Sequence, residues 1–382
     1  MTHGTHYDIA IIGGGPAGST AAIRLARAGF AVCLLERRSF PRETLCGEFL
    51  SREVTESIHE IGLSEKFHAL RPNPLTSFRL FLGPGRSFTS DLGFSAYGLK
   101  RGVLDAMLLE GARETGVSIA QPATVRQIER HAAFHRIVAE APDGEFAVTA
   151  SRVIGAYGKR GPLDQPPGPE PRRSRSPFNG VKFHVPRSRL RAIPEHEIQI
   201  FAGRGIYCGL NAVNDEAVTV CFLERRRVGD PPPRRRLVEL ALAHPELAET
   251  AGPDFEPLLE DLPVYGTANI DFGRKDPVRD GVFMIGDAAQ VIAPVAGDGI
   301  GVAMQSGKML SELLREARDQ GLTSEAIERR YRAAWRELFN RRMVLAAGVQ
   351  RLLLSSGGRA VGAGVLSLFP SLQSWGIRST RG

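Results

Sequence analysis

Near the start of the chain the spacing of apolar residues changes from a continuous run to helical spacing and back to a continuous run. This pattern predicts a strand, a helix and a second strand. Residues 8–12, Asp-Ile-Ala-Ile-Ile, form a short β-branched run that is typical of a parallel strand buried on both faces. Small and apolar residues then recur at positions 18, 21, 22 and 25, which predicts a helix from about Ala17 to Ala28, ended by Gly29. The second strand covers residues 30–35. Strand, helix and strand in this order indicate an α/β protein with a Rossmann-like parallel sheet.

Alternating patterns later in the chain predict a second, mainly antiparallel sheet inserted into the first domain. A hairpin is expected over residues 75–98, further strands over 181–185, 197–201, 205–211 and 217–223, a helix over 237–247 and a returning strand within 262–270. We therefore predict a first domain from residues 1–74, 99–160 and 278–316, and a substrate domain from 75–98 and 176–277. Helical spacing predicts a C-terminal helical region over 317–382, and the Pro- and Arg-rich residues 161–177 are expected to form an exposed loop.

Glycines at the first strand–helix junction have the spacing of a dinucleotide-binding turn. Gly13 allows the tight turn, Gly15 lets backbone N–H groups approach a pyrophosphate, and Gly18 brings the helix close to the sheet. The helix N-terminus adds unpaired donors and a partial positive charge. Glu36, at the end of the second strand, can accept hydrogen bonds from ribose hydroxyls. Because all these parts occur in order, we predict a dinucleotide site rather than a merely glycine-rich turn.

A second glycine-rich region lies near residue 290. A buried strand ends in Gly286-Asp287, and Gly297-Asp298-Gly299-Ile300-Gly301 opens a long helix that is expected to reach about Leu314. An acid at the carboxyl end of a strand beside a helix start lies where ligands bind in open α/β sheets.

Composition narrows the class of protein. The 382 residues, with 42% hydrophobic and 24% charged residues, are typical of a soluble globular protein of about two or three units. Neither an export signal nor an apolar stretch long enough to span a bilayer is apparent. The four cysteines are widely spaced, which argues against a zinc site or dithiol motif and favours a reducing cytoplasm. The histidines are scattered, so no metal site is predicted.

The net charge of +7 comes largely from arginine clusters around residues 172–175, 225–227 and 234–236. These clusters lie beside Pro-Pro turns without interleaved aromatics, so we expect solvated loops and no nucleic-acid binding. An anionic carrier or a membrane surface stays open as a partner. The glycine-rich, apolar residues 357–382 are expected to pack against the body; capping of the active site, membrane contact and contact with another subunit are the alternatives.

Taken together, the motifs resemble the flavoproteins that include para-hydroxybenzoate hydroxylase, flavin-dependent halogenases and geranylgeranyl reductases. The resemblance spans residues 7 to about 315. Its most specific parts are residues 13–36, Cys46-Gly47-Glu48, Leu99-Lys100-Arg101, and residues 286–301. It implies an FAD cofactor extended between the Rossmann-like FAD-binding domain and the sheet domain.

The resemblance also implies roles for individual residues. Asp287 would hold the ribitol, the amides of residues 297–301 would face the pyrimidine end of the flavin, and Arg42 and Arg101 would contact the phosphate and linker region. The implied cofactor-binding set is Gly13, Gly15, Ala17, Gly18, Glu36, Arg37, Arg42, Cys46, Gly47, Arg101, Val125, Gly286, Asp287, Gly297, Gly299, Ile300 and Gly301. The catalytic candidates are Cys46, Glu48 and His184.

One position departs from the family pattern. Tyr157 stands where these flavoproteins usually carry the Asp of an Asp-Gly pair that is linked to NAD(P)H handling. Electrons are therefore expected either from NADPH or NADH directly or from a separate flavin reductase as partner.

The function implied first is an FAD-dependent monooxygenase that acts on an aromatic or polyketide-like small molecule through a C4a-hydroperoxyflavin. A flavin-dependent reductase of an isoprenoid or polyene double bond is the rival enzyme, and a halogenase-like enzyme is a further alternative. The only tryptophans are Trp335 and Trp375, so the tryptophan-halogenase signature is absent. A non-catalytic FAD-binding scaffold or electron-transfer partner is the remaining hypothesis.

Overall fold

The computed structural model describes residues 5–161, 176–191, 193–227 and 229–368. The strands of this part are β1 (His6–Ile12), β2 (Val32–Leu35), β3 (Phe49–Leu50), β4 (Asn73–Gly83), β5 (Arg86–Gly98), β6 (Ser118–Ala120), β7 (Thr124–Arg130), β8 (His135–Ala141), β9 (Gly144–Gly155), β10 (Phe178–Pro186), β11 (Glu197–Gly203), β12 (Ile206–Ala212), β13 (Ala217–Arg225), β14 (Tyr265–Thr267), β15 (Val278–Arg279) and β16 (Val282–Met284). The helices are α1 (Pro16–Arg27), α2 (Arg52–Glu60), α3 (Ser64–Ala69), α4 (Arg101–Glu114), α5 (Pro233–Ala243), α6 (Pro245–Ala251), α7 (Phe255–Asp261), α8 (Gly299–Asp319), α9 (Ser324–Leu354) and α10 (Ser356–Leu368).

The first sheet is Rossmann-like, as the apolar pattern predicts. Its strand order is β15-β16-β9-β1-β2-β6, and β1 pairs in parallel with both β2 and β9. Ile9, Ala10 and Ile11 of β1 are completely buried at the centre of this sheet, and α1 packs against α4 and α8. An antiparallel ribbon of β7 and β8 joins the sheet through β9. The strand that follows β1 in the chain, β2, pairs on one side of β1, and the later strand β9 pairs on the other side. The strand order therefore reverses at β1, and the glycine turn after β1 lies at the crevice where ligands bind in such sheets.

The second sheet has the order β14-β10-β13-β12-β11-β4-β5-β3, and all its pairs are antiparallel except β11 with β4. One face forms an apolar core with α5, α6 and α7, built on alternate residues such as Val181, Phe183 and Val185. The residues between them, Lys182 and His184, lie on the face toward the first domain. The prediction of an inserted, mainly antiparallel sheet domain is confirmed.

Some element boundaries differ from the prediction. The strand β3 belongs to the second sheet, and β4 begins at Asn73, so residues assigned to the first domain up to position 74 contribute to the other sheet. A two-residue strand has no periodicity that a sequence pattern could reveal. The expected helix over 237–247 is two helices, because Pro245 cannot continue the backbone hydrogen bonding of α5.

The C-terminal part is helical, as predicted, although α8 runs on to Asp319. The first part of the segment 357–382 lies in α10, and its residues 369–382 lie outside the described part, as does most of the predicted loop 161–177. Among the described residues, no helix combines the length and apolar character required to cross a membrane.

Candidate active site

The three glycines of the first turn have two different physical roles. Gly13 has φ +109°, and a Cβ there would overlap the carbonyl of Ala156, while a Cβ on Gly18 would overlap the carbonyl of Gly13. These two glycines are therefore required by packing. Gly15 is different, because the nearest atom to a Cβ there is Nη2 of Arg42, 3.9 Å away. The N-terminus of α1, which has no side-chain cap, consequently opens into space that can take a phosphate.

Glu36 lies beside this opening and is only 3% exposed. Its Oε2 accepts a hydrogen bond from the backbone N–H of Gly14 at 2.7 Å, and its Oε1 accepts from that of Arg38 at 2.9 Å. Each oxygen keeps a lone pair for a further donor, such as a ribose hydroxyl. The Ala123 N–H donates to the Glu36 carbonyl at 2.7 Å, which brings the strand containing Val125 to the same end of the sheet. Arg37 is exposed.

Two arginines of the predicted set are oriented by one buried acid, Asp105, that the sequence did not single out. Arg101 donates to both Asp105 oxygens, at 3.0 and 3.1 Å, and the Arg42 guanidinium lies 3.6 Å from the same carboxylate. Burial opposes the charge of Arg101, but Asp105 outweighs it and raises the pKa of Arg101. Arg42 also lies 3.9 Å from Glu36. The arrangement places two fixed cations near the glycine turn.

Asp287 follows β16 and is partly exposed, with its carboxylate 3.9 Å from Nζ of Lys159. Gly286 has φ +59°, and its N–H donates to Ser306 Oγ at 2.9 Å, which ties this turn to α8. Tyr157, after β9, donates from its hydroxyl to Met284 Sδ at 3.3 Å and accepts from Arg279 at 3.0 Å. Tyr157 therefore packs against the neighbouring strand through its hydroxyl.

The N-terminus of α8 has a similar mixture of open and packed glycines. The closest atom to a Cβ on Gly299 is Ile292 Cγ2, at 3.8 Å, whereas a Cβ on Gly301 would overlap the carboxylate of Asp298. That buried carboxylate forms an ion pair with the buried guanidinium of Arg342, which reaches it from α9. Gly297 adopts φ +62°, and Ile300 is buried. No pattern in the sequence joins Arg342 to this loop.

Glu48 is the centre of a buried polar network between the two sheets. It is fully buried and adopts a left-handed backbone with φ +58°. Its Oε1 accepts from Lys182 Nζ at 2.9 Å and from the Arg101 N–H at 2.9 Å. Its Oε2 lies 2.6 Å from His184 Nε2 and accepts from the hydroxyl of Thr219. One carboxylate thereby joins the first domain to two strands of the second sheet.

The charges in this network support each other. Burial opposes ionisation of Glu48, but the hydrogen bond from His184, the charge of Lys182 and the other donors outweigh it and lower the pKa of Glu48 to about 2. Burial also opposes the charge of Lys182, yet Glu48 and Glu43 together raise the pKa of Lys182. Ligand atoms of Glu43, Glu48 and His184 lie within 4.8 Å of one another, a distance that could suit a metal. The ammonium of Lys182 contacts both carboxylates, however, and takes the place of a cation.

Cys46 and Gly47 lie at the edge of this network. Cys46 is half-buried, and its Sγ accepts from the Glu48 N–H at 3.3 Å. No atom lies within 4 Å of a Cβ on Gly47, so this backbone is open to a ligand. Cys221 on β13 faces the same region; burial, with the nearby Cys46 adding to it, raises the pKa of Cys221 to about 12. The three catalytic candidates, Cys46, Glu48 and His184, are therefore brought together.

Sequence reasoning missed the partners that hold these candidates. The missed residues are Glu43, Asp105, Lys182, Thr219 and Arg342. Lys182 alone had a usable signal, because a lysine between Val181 and Phe183 in a predicted strand must find an acid if it is buried.

The open N-terminus of α1, the buried acid Glu36 beside it and the open backbone at Gly47 and Gly299 fit an extended dinucleotide. This arrangement fits a flavoprotein of the FAD-dependent oxidoreductase class. Residues 6–339 match the family model described as "FAD binding domain", and the chain belongs to this family. The cofactor is FAD.

Three known proteins are similar to this chain, one in sequence and two in structure. Digeranylgeranylglycerophospholipid reductase 2 of Methanopyrus kandleri is 25% identical over 350 residues, which cover 88% of this chain and 83% of the relative. A triple mutant of the flavin-dependent brominase Bmp2 superposes with a TM-score of 0.79 at 21% identity, covering 99% and 96% of the two chains. Pseudomonas aeruginosa PqsL, solved with 2-aminobenzoylacetate, gives 0.71 at 17% identity, covering 95% of this chain and all of PqsL (100%). The two structural likenesses show the fold.

Proposed function

We propose that this FAD-dependent oxidoreductase is a monooxygenase that acts on an aromatic or polyketide-like small molecule. The observation that carries the proposal is the chemistry of the second sheet on its flavin-domain side. The register of β10 and β13 sets His184 opposite Thr219 and Lys182 opposite Cys221, so four polar side chains share one patch beside Cys46. Lys182 and Thr219 are fully buried and already paired with Glu48, so the polar groups that a ligand could reach on this patch are His184, whose side chain is 14% exposed, and the partly exposed Cys221. A hydrocarbon chain laid there would cover the exposed edge of the imidazole without giving it a hydrogen-bond partner.

An apolar cluster lies next to that polar patch. It combines side chains of the second sheet, of the loops before β15 and α8, and of the C-terminal helices: Leu82, Ala202, Tyr207, Leu223, Ile270, Val291, Leu353 and Ala363. Leu45 packs against the cluster from the segment next to Cys46. A flat apolar molecule with a polar substituent matches a site that is apolar on one side and polar on the other.

FAD supplies the redox chemistry of such a reaction when bound, including the activation of oxygen. We infer that Gly15, Glu36, Arg42 and Arg101 would hold its ADP part and that Asp287 would hold its ribitol. The N-terminus of α8 would place a partial positive charge at the pyrimidine end of the ring. The second sheet and the apolar cluster would exclude water, and Glu48 keeps His184 oriented through Nε2.

The electron source is part of the proposal. Tyr157 provides no carboxylate at the position linked to NAD(P)H handling, which supports a separate flavin reductase as the donor. Purified FAD-loaded protein is mixed anaerobically with NADPH, with NADH, or with NADH and a general flavin reductase, and bleaching of the flavin absorbance is followed. Fast bleaching by NADPH or NADH alone would contradict a separate donor.

Product mass tests the reaction type. The reduced protein is incubated with a panel of phenols and aminobenzoyl compounds under ¹⁸O₂, and a product that gains one labelled oxygen atom is expected. A product that gains two hydrogens without oxygen would instead support the rival function, a reductase of isoprenoid or polyene double bonds. Two observations favour that rival: the names of the curated relatives and the apolar cluster beside the polar patch. Bromide or chloride in the same assay distinguishes a halogenase, whose product would carry halogen.

A further inference from the structure

The long helix α9 changes character halfway along its solvent-facing side. Before Leu338 the exposed positions of the helix carry charged residues of both signs, including Glu325, Arg329 and Glu337. After that point it becomes apolar: Leu338 is 40% exposed, Val344 64%, Val349 39% and Leu352 49%. Exposed aliphatic side chains are common singly, but several along one side of a helix indicate a surface that is covered by something else.

These residues lie on one side of the helix. Leu338, Leu345, Val349 and Leu352 follow helical spacing, and Val344 flanks them; together they are called the α9 stripe. The opposite side of the same segment packs on the body through Phe339, Met343, Ala346 and Leu353. The helix is therefore apolar on both sides over this length, although, among the residues that the structure describes, only one side meets the rest of the protein. Val361 of α10, which is 63% exposed, adds to the apolar surface of this region.

Charge identifies the kind of partner. From Leu338 to the end of α10 the sequence contains no Asp or Glu, and it contains four arginines. Arg342 is buried against Asp298, whereas Arg341 and Arg351 are exposed and flank the α9 stripe. The stripe itself contains no acid and is flanked by two exposed arginines, with Glu337 at its N-terminal edge as the nearest acid in the sequence. Such a surface is complementary to an anionic surface with an apolar interior.

We propose that the α9 stripe docks onto the surface of a bilayer that contains anionic phospholipids. A second copy of the chain fits this surface less well, because no acid lies between Leu338 and Leu352 to pair with the exposed Arg341 and Arg351 of an apposed stripe. The location of the α9 stripe would connect membrane binding to the candidate site. Leu353 and Ala363, on α9 and α10, pack on the apolar cluster with Tyr207 and Leu223, so the docked helices would lie over the apolar side of the candidate site. An apolar substrate or product would then exchange with the lipid phase.

The test is cosedimentation of the full-length, FAD-loaded protein with vesicles. One set contains phosphatidylcholine alone, and the other contains equal amounts of phosphatidylcholine and phosphatidylglycerol. We expect binding to the second set that weakens with added salt. The double variant Val344→Glu, Leu352→Glu should lose at least about tenfold in partitioning. Arg341→Gln should lose about fivefold, since each cation near an anionic surface contributes about that factor.

Leu242→Glu is the matched control, because Leu242 is 73% exposed but belongs to α5 and not to the α9 stripe; it should bind like the parent. Normal FAD content and thermal unfolding of every variant show that the fold is intact. Absence of binding to the anionic vesicles, or equal binding by the double variant, would overturn the proposal. So would a dimer in size-exclusion chromatography that the double variant converts to a monomer, since the stripe would then be a self-interface.

Discussion

The buried carboxylate of Glu48 determines both the contact between the two sheets and the geometry of the candidate site. Its left-handed backbone turns the carboxylate away from the open Gly47 and into the gap between the sheets. Lys182 and His184 reach it there from β10, two residues apart on one face. A fully buried lysine is tolerated only with such partners, since an unpaired buried charge is strongly destabilising. The same carboxylate therefore stabilises the domain contact and fixes the polar side of the candidate site.

Glu48→Gln should lower the free energy of unfolding by about 3 kcal/mol, because Lys182 would remain buried with one acid instead of two. Glu43→Gln is the matched control: Glu43 also contacts Lys182, at 2.7 Å, but its side chain is 29% exposed, so water can compensate. Its effect should stay below about 1 kcal/mol. Urea unfolding of the three proteins at neutral pH measures both values, and equal losses would contradict the special role of Glu48.

The glycine turn allows binding and folding to be separated. Gly15→Ala adds a methyl group to open space at a φ of −73°, which alanine accepts, so the stability of the FAD-free protein should change by less than about 0.5 kcal/mol. FAD affinity should fall at least about tenfold, because the methyl group would occupy the place of the pyrophosphate.

Gly18→Ala should do the reverse, since its Cβ overlaps the Gly13 carbonyl and destabilises the FAD-free protein itself. Flavin fluorescence titration and thermal unfolding of the FAD-free proteins separate the two effects. Unchanged FAD affinity in Gly15→Ala would argue against a phosphate at this helix end.

At the scale of elements, the contact of α9 with α8 joins the C-terminal region to the helix whose N-terminus is proposed to face the flavin. Asp298 lies at the start of α8, where a negative charge would oppose the negative charge of a reduced flavin. Arg342 neutralises it from α9 and also donates to Gln305 at 2.6 Å. The packing of α9 thus sets the electrostatics of a loop that is distant in sequence.

Arg342→Met should lower stability by about 3 kcal/mol, because it leaves the Asp298 carboxylate buried without its cation. It should also make the bound flavin harder to reduce, which shifts the midpoint potential to more negative values. Combining it with Asp298→Asn removes the unpaired charge and should recover most of both losses. Urea unfolding and a dye-coupled redox titration provide the two readouts, and a double variant no better than Arg342→Met would exclude the charge as the cause.

Elements with strong periodicity were predictable from the sequence, and their partners were not. The alternation of residues 181–185 predicted the strand β10, and the glycine spacing predicted α1 and its open end. Two buried ion pairs could not be predicted from the sequence. The pair of Arg342 with Asp298 joins residues that are distant in sequence. The pair of Arg101 with Asp105 joins side chains four residues apart, but the sequence does not reveal that they are buried. The strand β3 was missed because two residues carry no period, and α6 because Pro245 restarts a helix within an apolar run.

At the scale of the whole molecule, stability should depend on pH through the contact between the two sheets. The pKa of Glu48 is about 2 in the folded protein against an ordinary value of 4.5. The folded state therefore keeps this carboxylate ionised at pH values where the unfolded chain binds a proton. Its contribution, about 3 kcal/mol from the two pKa values, is fully present above pH 4.5 and is lost as the pH falls toward 2.

Lys182 also stabilises the folded protein, but the pH dependence of its contribution is opposite to that of Glu48. Its raised pKa makes its stabilisation complete below the ordinary value of 10.5 and reduces it as the pH rises beyond that value. Urea unfolding of the parent protein and of Glu48→Gln between pH 2 and pH 7 isolates the acid limb. The difference between them should be largest at neutral pH and should shrink between pH 4.5 and 2, because the amide that replaces the carboxylate does not titrate. A difference independent of pH over this range would mean that Glu48 stabilises the domain contact by packing rather than by charge.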